Sequence, residues 1–241
     1  MISWLVAGAP FPPVESALDT PNGLLAASRH LDAQRLAEAY ALGIFPWYSP
    51  GDPVLWWCPD PRMVLVPAEF HVSRSLRKRL RATAHSSREQ VLVDRDFGEV
   101  IAACGDTRAA NEGTWITPEI RRAYAALHAR DLAHSIEVRR GDELIGGLYG
   151  VSLGRMFYGE SMFTREPDRS KIALATLVQI MLRENVPVID CQQASSHLRS
   201  LGGRQISRAV FCDHVANAVR RDPIDWSNWT RGPLNELLAG Y

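Results

Sequence analysis

The segment from Leu153 to Gln192 constrains the chain most, because its middle is a helix that cannot face water. Between Lys171 and Arg183, the residues Ile172, Leu174, Leu177, Val178, Ile180 and Met181 are spread nearly all round the helix. A helix apolar on every side has to be enclosed. The flanking stretches read as strands, so the order is strand, loop, helix, strand. Glu160 is expected at the end of the first strand, and Asp190 and Gln192 at the end of the last. Strand side chains alternate faces, which points Asp190 and Gln192 one way and Ile189 and Cys191 the other. With the two strands close together, three polar groups converge beside an apolar helix, the usual form of a small-molecule or acyl-group site.

The rest of the chain supplies the frame. Residues 1–31 are rich in turns, and Asp32 caps a predicted helix that Gly43 closes. From Ile44 to Arg62 there are five prolines and three tryptophans. Prolines at this density exclude a helix or a central strand and predict rigid turns that carry aromatic side chains. A domain boundary is expected near Pro67, after a short strand Met63–Val66, giving a small N-terminal domain over 1–66 and a larger one over 67–241. Within the larger domain, a strand at 91–93 is followed by a short helix from Asp96 to Ala103 and a loop from Gly105 to Thr114. Thr117 and Pro118 start another helix. Antiparallel strands come next, turning at Arg140-Gly141-Asp142 and again at 151–154. A helix around His197-Leu198 with a stop at Gly202-Gly203, a short strand over 204–207 and a helix over 208–220 follow, and Trp226 and Trp229 lie in a tail expected to pack back on the body.

Charge is distributed unevenly. Lys+Arg and Asp+Glu both number 27, so the whole chain has no net pull on polyanions. Residues 71–88 nevertheless carry Arg74, Arg77, Lys78, Arg79, Arg81 and Arg88 with no acid. A solvated helix face accounts for such a run; contact with a phosphate backbone is the functional alternative. Four scattered cysteines without a C-x-x-C pair fit a reducing cytoplasm rather than a disulfide scaffold. No signal peptide is expected, and no apolar run reaches the about 18–20 residues needed to span a bilayer.

Several chemistries have no sequence support. The histidines never fall into metal-ligand spacing, with His128 and His134 six apart, and no metal is expected. There is no G-x-S-x-G, no Walker A loop and no G-x-G-x-x-G fingerprint. The strand, loop and helix after Glu160 resemble acyl-CoA N-acyltransferases, whose glycine-rich loop offers bare amides to a pyrophosphate. Here the loop Thr164–Lys171 has no glycine and two acids, Glu166 and Asp168, which disfavours coenzyme A.

Seven motifs in order carry a specific resemblance: GIFPWYSPGDPVLWWCPDPR, EGTWIT, HSIEV, GGLYG, GESMF, IDCQ and SLGG. Together they resemble the leucyl/phenylalanyl-tRNA–protein transferase family from about Pro21 to Phe211. The resemblance implies an α/β (α+β) protein: a small N-terminal domain plus a larger acyl-CoA N-acyltransferase-like domain with a mixed, largely antiparallel sheet, used without a cofactor. It implies transfer of Leu, also Phe and Met, from aminoacyl-tRNA to the α-amine of proteins beginning with Lys or Arg, a mark for proteolysis. The side-chain pocket would be lined by Leu148, Phe157, Met162, Leu174, Leu177 and Ile189. Trp47 and Trp115 would hold the terminal adenosine, the 74–88 basic cluster the acceptor-stem phosphates, and Glu160, Asp190 and Gln192 would form the catalytic group. Asp190 is expected to orient Gln192, whose carbonyl positions the attacking amine, with Glu160 anchoring the amine or the cationic side chain. The partners are then aminoacyl-tRNA and a protein or peptide, with no membrane, and a monomer is expected. A coenzyme-A-dependent N-acyltransferase and a non-catalytic tRNA- or peptide-binding module are the competing readings.

Overall fold

The computed structural model of the protein describes residues 2–109 and 114–241. The Glu112-Gly113 part of EGTWIT and the end of the expected 105–114 loop fall outside them. The chain opens with β1 (Ser3–Leu5), β2 (Leu24–Ser28), α1 (Ala33–Tyr40), β3 (Phe45–Pro46) and β4 (Val54–Trp57). These strands form a small sheet in the order β1-β2-β4-β3. Asp32 caps α1, accepting from Arg35 N at 2.8 Å. Gly43 follows at φ 76°, where a Cβ would come within 2.9 Å of the Phe211 ring. The proline-dense stretch does contain a central strand: β4 pairs on both sides, with β2 and β3. It escapes the proline rule because Pro53 and Pro59 bracket Val54–Trp57 without interrupting it.

The large sheet begins at β5 (Arg62–Leu65), then continues after α2 (Arg74–Ala84) with β6 (Glu89–Val93). Helices α3 (Phe97–Ala109) and α4 (Pro118–His128) lead to the long strands β7 (Ala133–Arg140), β8 (Glu143–Leu153) and β9 (Met156–Thr164). Helix α5 (Arg169–Arg183) carries the chain over to β10 (Ile189–Asp190), and α6 (Ser196–Ser200), β11 (Arg204–Ile206) and α7 (Arg208–Ala218) follow. The order is β11-β5-β10-β9-β8-β7-β6. All neighbours are antiparallel except β9 and β10, whose parallel pairing needs the α5 crossover. This is the mixed, largely antiparallel α/β architecture expected. Helix α3 is longer than expected and takes in Gly105, and β8 runs on to Leu153, moving the second turn to Gly154-Arg155.

The expected boundary near Pro67 falls after the first strand of the large sheet. β5 precedes it, yet hydrogen-bonds to β10 and β11 in the large sheet, so the sheets divide at Pro61. One apolar cluster runs continuously from the small sheet through Tyr40 to Tyr158 and Phe211, fusing the two parts. A second cluster lies under α5, where Ile172, Ala173, Ala175 and Ile180 are fully buried. Enclosure of α5 on both sides follows directly from its all-round apolar sequence. In the tail, Trp226 is buried against the ring of His134 at 4.1 Å and donates to Ser152 Oγ at 3.1 Å.

Candidate active site

A cavity of about 630 Å³ opens between β3, the middle of β8 and β9, α5 and the chain that follows β10. Its apolar wall includes Leu148, Met162, Leu174, Leu177 and Ile189. Leu174 and Leu177 sit one turn apart on α5, whereas Ile172, Val178 and Ile180 pack into the core. Phe157 is not in this wall. It lies farther along β9, beneath Gly150, with its ring 5.8 Å from that of Trp226. A Cβ on Gly150 would come within 2.5 Å of the Phe157 ring, so the glycine admits the ring to the core. Trp47, 43% exposed, and the half-buried Trp115 stand at the cavity from different elements.

Glu160 is not at a strand end. β9 runs four residues beyond it, and Glu160 is the extra residue of a β-bulge: Tyr149 pairs with Ser161, and Gly150 with Gly159. A bulge re-aims the side chain it carries, here into the cavity. The Tyr124 hydroxyl donates to Glu160 Oε2 at 2.9 Å, and Tyr124 and Tyr40 share a hydroxyl contact of 2.5 Å. Gln192 Nε2 donates to Glu160 Oε1 at 3.2 Å. Burial pushes the Glu160 carboxyl up to about 7, with the Tyr40 and Tyr124 hydroxyls pulling the other way.

Asp190 and Gln192 do not share a strand face. β10 ends at Asp190, and Gln192 has φ 53°, a left-handed conformation that breaks the alternation. Asp190 is fully buried and does not line the cavity. Both its oxygens accept from Arg62, at 2.8 Å from Nε and 2.6 Å from Nη2. Its Oδ1 also accepts from Gln192 N at 2.9 Å, so Asp190 meets the backbone of Gln192 rather than its side chain. Of these two residues, Gln192 alone lines the cavity. Since Nε2 faces Glu160, Oε1 is the end left to accept from a bound molecule.

Arg62, Tyr40 and Tyr124 escaped the sequence reading. An arginine heading the apolar run Met63–Val66 was the available signal for Arg62. Nothing local marks the two tyrosines, which reach Glu160 only through the packing of α1 on α4.

The basic side chains are all exposed on α2 and the turn after it, while Leu76, Leu80 and Thr83 face inward. Arg81 Nε donates to the Tyr241 carbonyl at 2.7 Å, which ties one of the six to the end of the chain. Around the start of α5, Glu166 is held by Arg140 at 2.6 Å and Arg169 at 3.3 Å, and Asp168 by Lys171 at 2.9 Å. The fold also gathers Asp94, His128 and His134, with ligand atoms within 4.8 Å of one another. Spacing along the chain could not reveal this cluster, because Asp94 comes from the end of β6. Its atoms are already engaged: His134 Nδ1 lies 2.7 Å from Asp94 Oδ2, and His128 Nδ1 2.8 Å from the Ala133 carbonyl. None of the three lines the cavity.

Residues 64–216 match the leucyl/phenylalanyl-tRNA protein transferase family, and residues 29–60 match that family's N-terminal domain. The chain belongs to this family. It is therefore an aminoacyltransferase. Leucyl/phenylalanyl-tRNA–protein transferase of Bordetella bronchiseptica is 55% identical over 230 residues, covering 93% of this chain and 91% of that one. The protein of the same name from Paraburkholderia phymatum is 51% identical over 243 residues, covering 99% of both. Among solved structures, L-PGS from Bacillus licheniformis aligns with a TM-score of 0.41 at 10% identity, over 82% of this chain and 73% of that chain. A GCN5-related N-acetyltransferase from Kribbella flavida aligns with 0.36 at 12% identity, over 68% and 57%. Both structural likenesses are remote. Among the described residues, no helix is long and apolar enough to cross a membrane.

Proposed function

We propose that this cavity binds the aminoacyl end of Leu-tRNA or Phe-tRNA and transfers the amino acid to the α-amine of a polypeptide beginning with Lys or Arg. The observation that carries the reading is the Gln192 amide, held by Glu160 so that its carbonyl faces a cavity with an apolar wall and two tryptophans. The amino acid's side chain sits against Leu148, Met162, Leu174, Leu177 and Ile189. Trp47 and Trp115 stack on the terminal adenosine, a contact worth about 1–3 kcal/mol per base. The exposed basic face of α2 takes acceptor-stem phosphates. The product is a protein with a new N-terminal Leu or Phe, a mark for proteolysis, and the setting is the cytoplasm.

The reaction is aminolysis of an ester that is already activated. The peptide nitrogen attacks the ester carbonyl carbon, a C–N bond forms, and the C–O bond to the ribose breaks. Holding the two reactants together supplies the main acceleration, up to about 7–11 kcal/mol when orientation is good. A peptide α-amine has a pKa of about 8 and must be neutral to attack. An amide carbonyl is too weak a base to keep its proton. Gln192 Oε1 accordingly positions the amine by accepting one N–H, and the surplus proton passes to the leaving ribose oxygen through its neighbouring hydroxyl. Ionised Glu160 holds Gln192 and draws the cationic end of the acceptor toward the cavity.

An acyl-CoA donor fits poorly. A pyrophosphate at the start of α5 would meet Glu166 and Asp168, and their partners Arg140, Arg169 and Lys171 are already neutralised by them. The deciding experiment mixes the protein with Leu-tRNA or acetyl-CoA and an Arg-starting peptide, then weighs the peptide. A gain of one leucine supports the proposal. An acetyl group or an unchanged mass overturns it.

A further inference from the structure

We propose that Arg62 is a positioning residue for aminoacyl transfer, acting on Gln192 through a buried latch with Asp190. The inference rests on Gln192 being the group that positions the amine. Arg62 is fully buried at the head of β5, the first strand of the large sheet after the small one. Its guanidinium lies between two rings, 4.7 Å from the centroid of Phe45 and 4.4 Å from that of Phe211. These rings come from the small sheet and from α7, so three parts of the molecule fix the plane of the fork. The fork then fixes the Asp190 carboxylate through two parallel bonds, the geometry that distinguishes arginine from lysine.

What the latch controls is the turn at Gln192. A non-glycine residue at φ 53° holds that conformation only when its surroundings impose it. Two contacts do so here. Asp190 Oδ1 accepts from Gln192 N, and Met63 N donates to the Gln192 carbonyl at 3.2 Å. Both originate at the start of β5, in Arg62 and its neighbour. With N and C=O of Gln192 held, its side chain leaves the backbone toward Glu160 and the cavity, which Asp190 does not line. A strand that simply continued past Asp190 would instead carry Gln192 along β9 in alternation. The buried ion pair therefore reaches the site without touching the substrate.

Lysine at position 62 would keep the charge but offer one nitrogen where two parallel bonds are needed. The Asp190 carboxylate could then rotate away from Gln192 N and release the turn. Arg62→Lys should lower kcat for transfer about ten- to hundredfold, the cost of misplacing a reacting group. Binding of an amide-linked, non-hydrolysable leucyl-adenosine should change less than about twofold, because the latch does not line the cavity. The test is a double-mutant cycle with Gln192→Ala, using single-turnover transfer at saturating Leu-tRNA. In the Gln192→Ala background, Arg62→Lys should cost almost nothing further, since the group it positions is gone. An undiminished loss in that background, or an unchanged kcat in Arg62→Lys alone, overturns the proposal. A purely structural role would lower thermal stability in both backgrounds and leave the rate of folded enzyme intact. Should Arg62→Lys fail to fold, Asp190→Asn breaks the same latch from its other side, and its cycle with Gln192→Ala is read by the same criteria. An inactive wild-type protein would speak against the aminoacyl-tRNA reading instead, so the two failures stay distinct.

Discussion

Gln192 donates its side-chain amide to Glu160 across 3.2 Å, and this bond decides which end of the amide faces the cavity. A carboxylate can only accept, so the NH₂ group must turn toward it and the carbonyl away. Replacing Gln192 by alanine removes the only acceptor proposed for the amine. The expected loss is about ten- to hundredfold in kcat, with leucyl-adenosine binding nearly unchanged. Gln192→Glu should do no better, because two carboxylates would then share one site and one of them would stay protonated. Mass analysis of an Arg-starting peptide over a time course gives the rates.

The same bond makes activity depend on pH through Glu160. Burial raises this carboxyl to about 7, so near neutrality it moves between a form that only accepts and one that also donates. Protonated Glu160 can donate to the Gln192 carbonyl and turn the amide round, away from the amine. Transfer should therefore fall as pH drops through about 7, in addition to the limb set by the amine near 8. In Glu160→Gln the limb near 7 should vanish and the amine limb remain. Linkage gives the sign for stability. A carboxyl raised on folding binds its proton more tightly in the folded state, so its contribution is fully present below about 4.3 and is lost as pH rises through about 7. The stability difference between Glu160→Gln and wild type should then shift in favour of the variant as pH is raised from 4.5 to 8 in urea titrations. A parallel pair of curves would contradict this.

Much of the site was legible because its side chains depend on local rules. The all-round apolar sequence of α5 required burial, and the crossover it forms puts β9 beside β10. Leu174 and Leu177 followed from their shared face on that helix, whereas Ile189 came only from the family resemblance, since strand alternation pointed it away from the polar group. Glu160 and Gln192 both line the cavity, but by devices other than the one expected. Strand alternation was the expected device, whereas a bulge aims one and a left-handed turn the other. Both are one-residue departures from regular structure that depend on partners distant in sequence: Tyr149 and Gly150 for the bulge, Arg62 and Met63 for the turn. The point where the two sheets divide was hidden for a related reason. β5 follows the N-terminal motif without a linker, and only its pairing with β10 and β11 shows which sheet owns it.

Trp47 and Trp115 should separate cleanly from stability. Trp47 is 43% exposed and touches Trp57 edge-on at 5.8 Å, so truncation leaves little cavity behind. Trp47→Ala and Trp115→Ala should each weaken leucyl-adenosine binding by about 1–3 kcal/mol if the base stacks on the indole. Calorimetric titration reads this directly. Thermal unfolding of Trp47→Ala should match wild type closely, which keeps the binding loss from being a folding artefact.

The basic face of α2 gives the last prediction, and its six members should not behave alike. Arg77 and Arg79 are exposed and form no salt bridge among the described residues. Phosphate contacts release counterions, so charge reversal at both should weaken tRNA binding and flatten the dependence of log K on log salt by about two contacts' worth. Arg81 differs because its Nε is committed to the Tyr241 carbonyl. Arg81→Ala should loosen the docking of the C-terminal segment and cost tRNA affinity less than either neighbour. Filter binding of Leu-tRNA at several salt concentrations, with leucyl-adenosine as the stem-free control, distinguishes the two roles. If α2 grips the acceptor stem, the variants lose affinity for the tRNA and keep it for the adenosine. An unchanged salt slope in the Arg77 and Arg79 reversals would leave α2 as an ordinary solvated helix and move the stem contact elsewhere.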